Sequence, residues 1–143
     1  MKIKQISVFL ENKSGRLASV TKTLAQNNIN IRALSIADTS DFGILRLIVD
    51  QPEFAYQKLK ANGFTVSETE VIGVAMPDEP GGLAKVLQEL EESEINIEYL
   101  YAFLSKSHEN ALVIFRVENI DEAIVKLTDK GLKVLPGDQI YKL

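Results

Sequence analysis

The sequence has no cysteine, no tryptophan and one histidine. Without thiols, disulfides, thiolate metal sites and cysteine nucleophiles are excluded. His108 stands in a polar stretch with no second imidazole near it in sequence, which reads as a surface residue and not as a ligand or catalyst. No apolar run approaches the roughly 20 residues of a membrane-spanning helix. Met1 to Gln5 lacks the apolar core of a signal peptide. The expectation is a cytoplasmic protein with no membrane partner. An excess of positive charge is missing too: net charge is −4 and the pI about 5.1. Nucleic-acid binding leaves a basic footprint, so no nucleic-acid partner is expected. Of the residues, 45% are hydrophobic and 25% charged, a globular composition with no case for disorder.

What the chain does have is a repeat. Lys13-Ser14-Gly15-Arg16-Leu17 is echoed by Glu79-Pro80-Gly81-Gly82-Leu83, and Ile29-Asn30-Ile31 by Ile95-Asn96-Ile97. Gly81 follows Gly15 by 66 residues, and Asn96 follows Asn30 by 66. Later in each half the offset becomes 68, with Ala55 matching Ala123, Leu59 matching Leu127 and Gly63 matching Gly131. The two added residues fall in the polar loop Ser105 to Asn110, where insertion is tolerated. This predicts two units, 1–69 and 70–143, joined without a Pro/Gly/Ser-rich linker. Units of that size bury limited cores, so they are expected to pack against each other or a second chain.

Each half reads β-α-β-β-α-β. In the first, Ile6, Val8 and Leu10 alternate as a strand. Ser14 is placed to cap the next helix, on which Leu17, Val20 and Leu24 share a face. Asn27-Asn28 ends that helix. Ile29 to Ala37 and Gly43 to Asp50 form a strand pair about the turn Asp38-Thr39-Ser40-Asp41. Pro52 opens a second helix, with Ala55 and Leu59 inward, closed by Asn62-Gly63. Phe64 to Thr69 is the last strand, and Val71 to Met76 begins the second half. The fold class is therefore α+β: two ferredoxin-like βαββαβ units in tandem, antiparallel sheets with both helices on one face. The other face is expected to be polar if solvated. The stretch Ile97 to Leu104 is apolar on both sides, and leaving it in water would invite aggregation. A covering partner, most simply the other unit or a second copy in a homodimer, is expected.

Asn12-x-x-Gly15-x-Leu17 with Ile29-Asn30-Ile31, and Asp78-x-Pro80-Gly81-x-Leu83 with Ile95-Asn96-Ile97, resemble the signature of ACT domains. The resemblance spans nearly all of both halves. It implies small regulatory modules that commonly bind amino acids and often pair side by side; most members are appended to an enzyme, and since no catalytic domain fits in this chain a separate enzyme or regulator is the expected partner. Ser14 stands where the family usually has proline. Leu10 and Met76 stand where serine-binding members carry histidine. No cofactor and no catalytic activity are implied.

A helix start offers unpaired backbone N–H groups and the positive end of its dipole to an anion. On these grounds the candidate ligand residues are Asn12, Lys13, Ser14, Gly15, Arg16, Leu17 and Asn30, with Asp78, Glu79, Pro80, Gly81, Gly82, Leu83 and Asn96 in the second half. Lys13 and Arg16 favour a carboxylate at the first turn, while Asp78 and Glu79 favour an ammonium at the second. Asn12 and Asn30 are expected to orient the ligand. Against this, the glycines serve as tight turns whether or not anything binds. The flanking charges also read as solvated surface. Asp38, Asp41 and Asp50 with Glu53 suggest a cation site, yet acids favour turns and helix starts in any case. Rival functions are a ligand-free oligomerisation module, an acylphosphatase-like enzyme using Arg16 and Asn30, and an RNA-binding module. The last lacks the exposed aromatics that such modules carry on the third strand.

Overall fold

The structure is a computed structural model and describes all residues except 12, 39–41 and 105–109. The expected placements of Asn12, of the turn at 39–41 with Asp41, and of His108 lie outside the described residues. Contacts divide the chain into two compact units, Lys4–Thr69 with Tyr141–Leu143, and Glu70–Ile140 with Met1–Ile3. Each terminus therefore belongs with the half distant from it in sequence.

The first unit runs β1 (Ile3–Glu11), α1 (Arg16–Gln26), β2 (Ile31–Asp38), β3 (Phe42–Val49), α2 (Pro52–Ala61) and the start of β4 (Thr65–Pro77). β3 is the central partner, antiparallel to β1 and β2, with Val8 opposite Leu45 and Ile36 opposite Leu45 from the other side. Alternation aims Ile6, Val8, Leu10, Leu45, Leu47 and Val49 at Val20 and Leu24 of α1 and Ala55 and Leu59 of α2. Leu17 departs from expectation. It shares the period of Val20 and Leu24 but is 40% exposed, because α1 begins only one residue earlier and its first turn overhangs the core. Asn28 takes the left-handed conformation that ends α1, at φ 55°.

The second unit repeats this with the rest of β4, α3 (Gly82–Glu92), β5 (Ile97–Ala102), β6 (Asn110–Val117), α4 (Ile120–Asp129) and β7 (Lys133–Val134). β6 lies antiparallel between β4 and β5, and β7 pairs with β4. Ile72, Val74 and Met76 face Val86 and Leu90 of α3 and Ala123 and Leu127 of α4. Arg116 within β6 is satisfied by Glu98 at 3.0 Å and by the Glu70 carbonyl at 2.9 Å.

Two features differ from the sequence reading, and a third bears on its conditional expectation of a polar sheet face. The strands expected at 64–69 and 71–76 are one strand, β4, of 13 residues. Ser67 to Glu70 carries neither glycine nor proline to break it. β7 is only two residues long and is followed by a short helix, α5 (Gly137–Tyr141). Pro136 has no N–H to continue the ladder. Third, the sheet face away from the helices is not a solvated polar surface. In the first unit Gln5, Ser7, Ala33 and Ile48 are buried there. In the second, Val71, Leu112 and Ile114 are buried, and Ile140 of α5 and Ile3 close over Gly73.

Candidate functional site

The two glycine turns have the same geometry. Gly15 caps α1 at φ 87°, ψ −9°, and Gly81 caps α3 at φ 90°, ψ −9°. A side chain disfavours that left-handed conformation. Neither helix start has a side-chain cap, so Ser14 does not cap α1 as its position suggested. The reason is local. The Arg16 N–H folds back to the Lys13 carbonyl at 3.3 Å, which places Gly15, not Ser14, at the cap. The Gly82 N–H does the same to Glu79 at 3.1 Å. The first regular helical bonds are Ser19 to Gly15 at 2.9 Å and Lys85 to Gly81 at 3.0 Å. The N–H groups of Leu17 and Ala18, and of Leu83 and Ala84, are left without a backbone partner among the described residues. Both helices thus present free donors and a positive dipole end.

What surrounds those donors differs between the units. At the second turn a cavity of about 430 Å³ opens beside Pro77, Glu79 and Gly82 and reaches Lys85, Asn110 and Lys133. Gly82 is required there by close approach: a Cβ would press on the Pro77 carbonyl oxygen, with the carbonyl carbon 3.3 Å away. Lys85 and Lys133 have no ion-pair partner among the described residues. Glu79 supplies the opposite charge on the same wall.

At the first turn two smaller spaces lie among the described residues. One of about 230 Å³ lies against Lys13, Leu17, Ile36 and Gly43. The other, about 80 Å³, lies against Phe9 and Gly63 to Thr65. Glu11 and Arg16 border both. The cations counted on to attract a carboxylate already hold one. Glu11 bonds Lys13 Nζ at 2.9 Å and lies 3.6 Å from Arg16 Nη2. The hydrogen bond from Lys13, then the charges of Lys13 and Arg16, hold the Glu11 carboxyl below its usual range.

Asn30 and Asn96 do not join the turn of their own unit. Each follows the C-terminal end of the first helix, so α1, 11 residues long, puts about 16 Å between Asn30 and Gly15. Asn30 is tied to Asp50, donating its N–H at 2.9 Å and accepting the Asp50 N–H at 3.1 Å. Asn96 is tied to Glu118, donating its side-chain amide to the carboxylate at 3.2 Å and accepting the Glu118 N–H at its carbonyl at 3.2 Å. Both residues brace two loops, but among the described residues Asn30 does so through its main chain alone and only Asn96 uses its amide side chain. Asp50 is thereby engaged, and Glu53 bonds Lys4 at 2.6 Å. Among the described residues no group of three acids or histidines could hold a metal. Asp78 and Pro80 are exposed at the turn, and Leu83 is 37% exposed beside it.

Lys85, Asn110 and Lys133 were missed by sequence reasoning. Lys85 had a usable signal, being one helical turn beyond Gly81. Asn110 is the register partner of Pro77, and Lys133 begins β7. Only strand pairing brings those two to the turn.

Comparison with known families matches the ACT domain pair over residues 1–143. A solved structure of a protein from Bacteroides thetaiotaomicron aligns with 100% of this chain and 98% of its own at 48% identity, with a TM-score of 0.94. The ligand-free regulatory subunit of aspartate kinase from Thermus thermophilus aligns with 88% of this chain and 91% of its own at 18% identity, TM-score 0.62. The regulatory subunit of aspartate kinase from Thermus flavus aligns with 88% and 90% at 19% identity, TM-score 0.57. No curated protein matches.

Proposed function

Because this chain belongs to the ACT domain pair family, we propose that it is a non-catalytic regulatory module that senses a small free amino acid. The site is the turn between first strand and first helix, principally in the second unit. The observation that carries this reading is the cavity of about 430 Å³ at the start of α3, within the range of small-molecule sites. It is lined by both signs of charge. The carboxylate of an amino acid would lie at the positive start of α3 with Lys85 and Lys133 nearby, and its ammonium would turn to Glu79. This reverses the preference drawn from sequence charge alone, since Lys13 and Arg16 are engaged by Glu11.

The signal would pass to a separate enzyme or regulator in the cytoplasm. We further propose a homodimer. Leu100 on the edge strand β5 is 39% exposed, and Ile36 on the edge strand β2 is 47% exposed. Unpaired edges carrying apolar side chains favour a partner. Light scattering should give a mass near twice 15.9 kDa; a monomer mass would remove this part.

A thermal-shift screen with the twenty common amino acids tests the sensing role. A ligand at about 100 times its Kd adds roughly 2.7 kcal/mol to the folded state, a plainly visible shift. Absence of saturable binding by any of them would leave the oligomerisation module as the reading.

A further inference from the structure

The duplicated turns invite the conclusion that the chain binds two ligands. The structure argues otherwise once the two clefts are matched position by position. Arg16 and Gly82 are each the first residue of the helix after the cap. Glu11, opposite Phe42, corresponds to Pro77, opposite Asn110. Gly63 and Gly131 correspond, both at positive φ, and Thr65 corresponds to Lys133. The second cleft is one continuous space of about 430 Å³ from Gly82 to Lys133. In the first unit the matching residues, Phe9 to Glu11, Arg16 and Gly63 to Thr65, border only about 80 Å³, and a separate space of about 230 Å³ lies on the side of Leu17, Ile36 and Gly43, with Glu11 and Arg16 bordering both. Neither space reaches the roughly 300 Å³ at the lower end of small-molecule sites.

The chemistry of the first cleft matters as much as its volume. A carboxylate belonging to the chain itself sits beside the start of α1. One oxygen bonds Lys13 at 2.9 Å and the other lies 3.6 Å from Arg16. We infer that the chain takes one ligand, in the second cleft, and that in the first cleft Glu11 already engages the cations that a ligand's carboxylate would meet. This rests on the amino-acid reading above. Glu11 is an intramolecular competitor, and a group tethered over a few residues acts at an effective concentration on the order of millimolar. A free carboxylate must displace it. Because Glu11, Lys13 and Arg16 are about half exposed, screening limits the advantage, so the expected weakening is on the order of fivefold to tenfold. Arg16 adds a steric term, filling the volume that Gly82 leaves open.

Backbone amide NMR of the full chain tests this, because the Gly15, Gly81 and Gly82 amides report the two turns separately. Each of the twenty common L-amino acids is titrated singly into the natural protein, into Glu11→Gln and into Arg16→Gly. In the natural protein Gly81 and Gly82 should shift saturably with at least one amino acid while Gly15 responds at least about fivefold more weakly. In both variants Gly15 should then respond to that same amino acid, with affinity at least about fivefold tighter than any residual response in the natural protein. Glu11→Gln keeps shape and removes charge, so it guards against misfolding of Arg16→Gly. Comparable shifts at Gly15 and Gly81 in the natural protein, or a silent Gly15 in both variants, would overturn the inference while leaving the amino-acid reading intact. Silence of all three glycines with every amino acid would overturn both.

Discussion

Replacing Gly82 with alanine adds one methyl group at the tightest point of the second unit. The new Cβ has backbone in front of it, the Pro77 carbonyl, and not the movable end of a side chain. Relief requires the start of α3 to lift from the end of β4 by about 1 Å. That movement strains the Gly82 N–H bond to the Glu79 carbonyl, now 3.1 Å, and drags on Val86 and Leu90, which are buried in the core. Overpacking of this kind costs about 1–3 kcal/mol, and the absence of a side chain that could yield puts the expected value near 2–3 kcal/mol. For a unit of about 70 residues each kcal/mol moves the midpoint by roughly 4–8 °C, so the second unit should melt on the order of 10 °C lower. Urea unfolding followed by circular dichroism, with each unit's transition resolved, measures it. Gly81→Ala is the control. Its Cβ meets nothing within 4 Å, yet φ is +90°, so its cost is backbone strain of about 1–2 kcal/mol. Asparagine, which tolerates the left-handed region, should be milder than alanine at position 81 and no milder at 82. If Gly82→Ala costs less than about 0.5 kcal/mol, the steric argument for the shape of the cleft fails.

Lys85→Ala combined with Lys133→Ala should weaken amino-acid binding by at least about tenfold, since charge-assisted bonds are worth about 1.5–3 kcal/mol each; unchanged affinity by calorimetry would move the carboxylate elsewhere. Glu94 sits at φ 57°, the position that Asn28 fills at φ 55° in the first unit. Glu94→Asn should therefore raise stability by about 0.5–1 kcal/mol in denaturant, and a loss would contradict the strain assigned there. Ile140 is fully buried over Gly73, so Ile140→Ala should cost about 2–5 kcal/mol, and a near-neutral effect by thermal melting would show that α5 does not seal the sheet. The Lys4–Glu53 pair contributes to the pH response, beside Lys2, whose pKa is raised, and Glu11, whose pKa is lowered. Hydrogen bonding with Lys4, then its charge, holds Glu53 below the usual carboxylate range, and the same bond raises Lys4. The Glu53 contribution is present above the unfolded carboxylate pKa and lost as pH falls through the lowered folded value. The Lys4 contribution is present below the usual lysine range and lost as pH rises through the raised value. Both groups are solvent-exposed, so the melting midpoint should be nearly flat across the neutral range, with small losses beyond each end; a steep change near neutrality would disprove this assignment.

Periodicity and backbone preference were legible in the sequence because both are local. Alternating Ile6, Val8 and Leu10, the spacing of Val20 and Leu24, and Pro52 at a helix start each act within a few residues of themselves. The 66-residue offset then duplicated every one of them. Gly15 and Gly81 were singled out for the same reason, since a left-handed cap demands glycine wherever the rest of the chain goes. Tertiary structure decided which side chains meet. Glu11 and Arg16 lie on opposite sides of the turn, and their pairing depends on how α1 folds back over β1. Lys85 and Lys133 are 48 residues apart, and the pairing of β7 with β4 sets them on one cleft. Asn30 follows its glycine closely in sequence, yet a rigid helix holds it at the far end of the unit, where Asp50 engages it. Charge read along the chain favoured the first turn. Through space, Lys13 and Arg16 prove to be held by Glu11, because electrostatic attraction depends on distance between atoms and not on separation along the backbone.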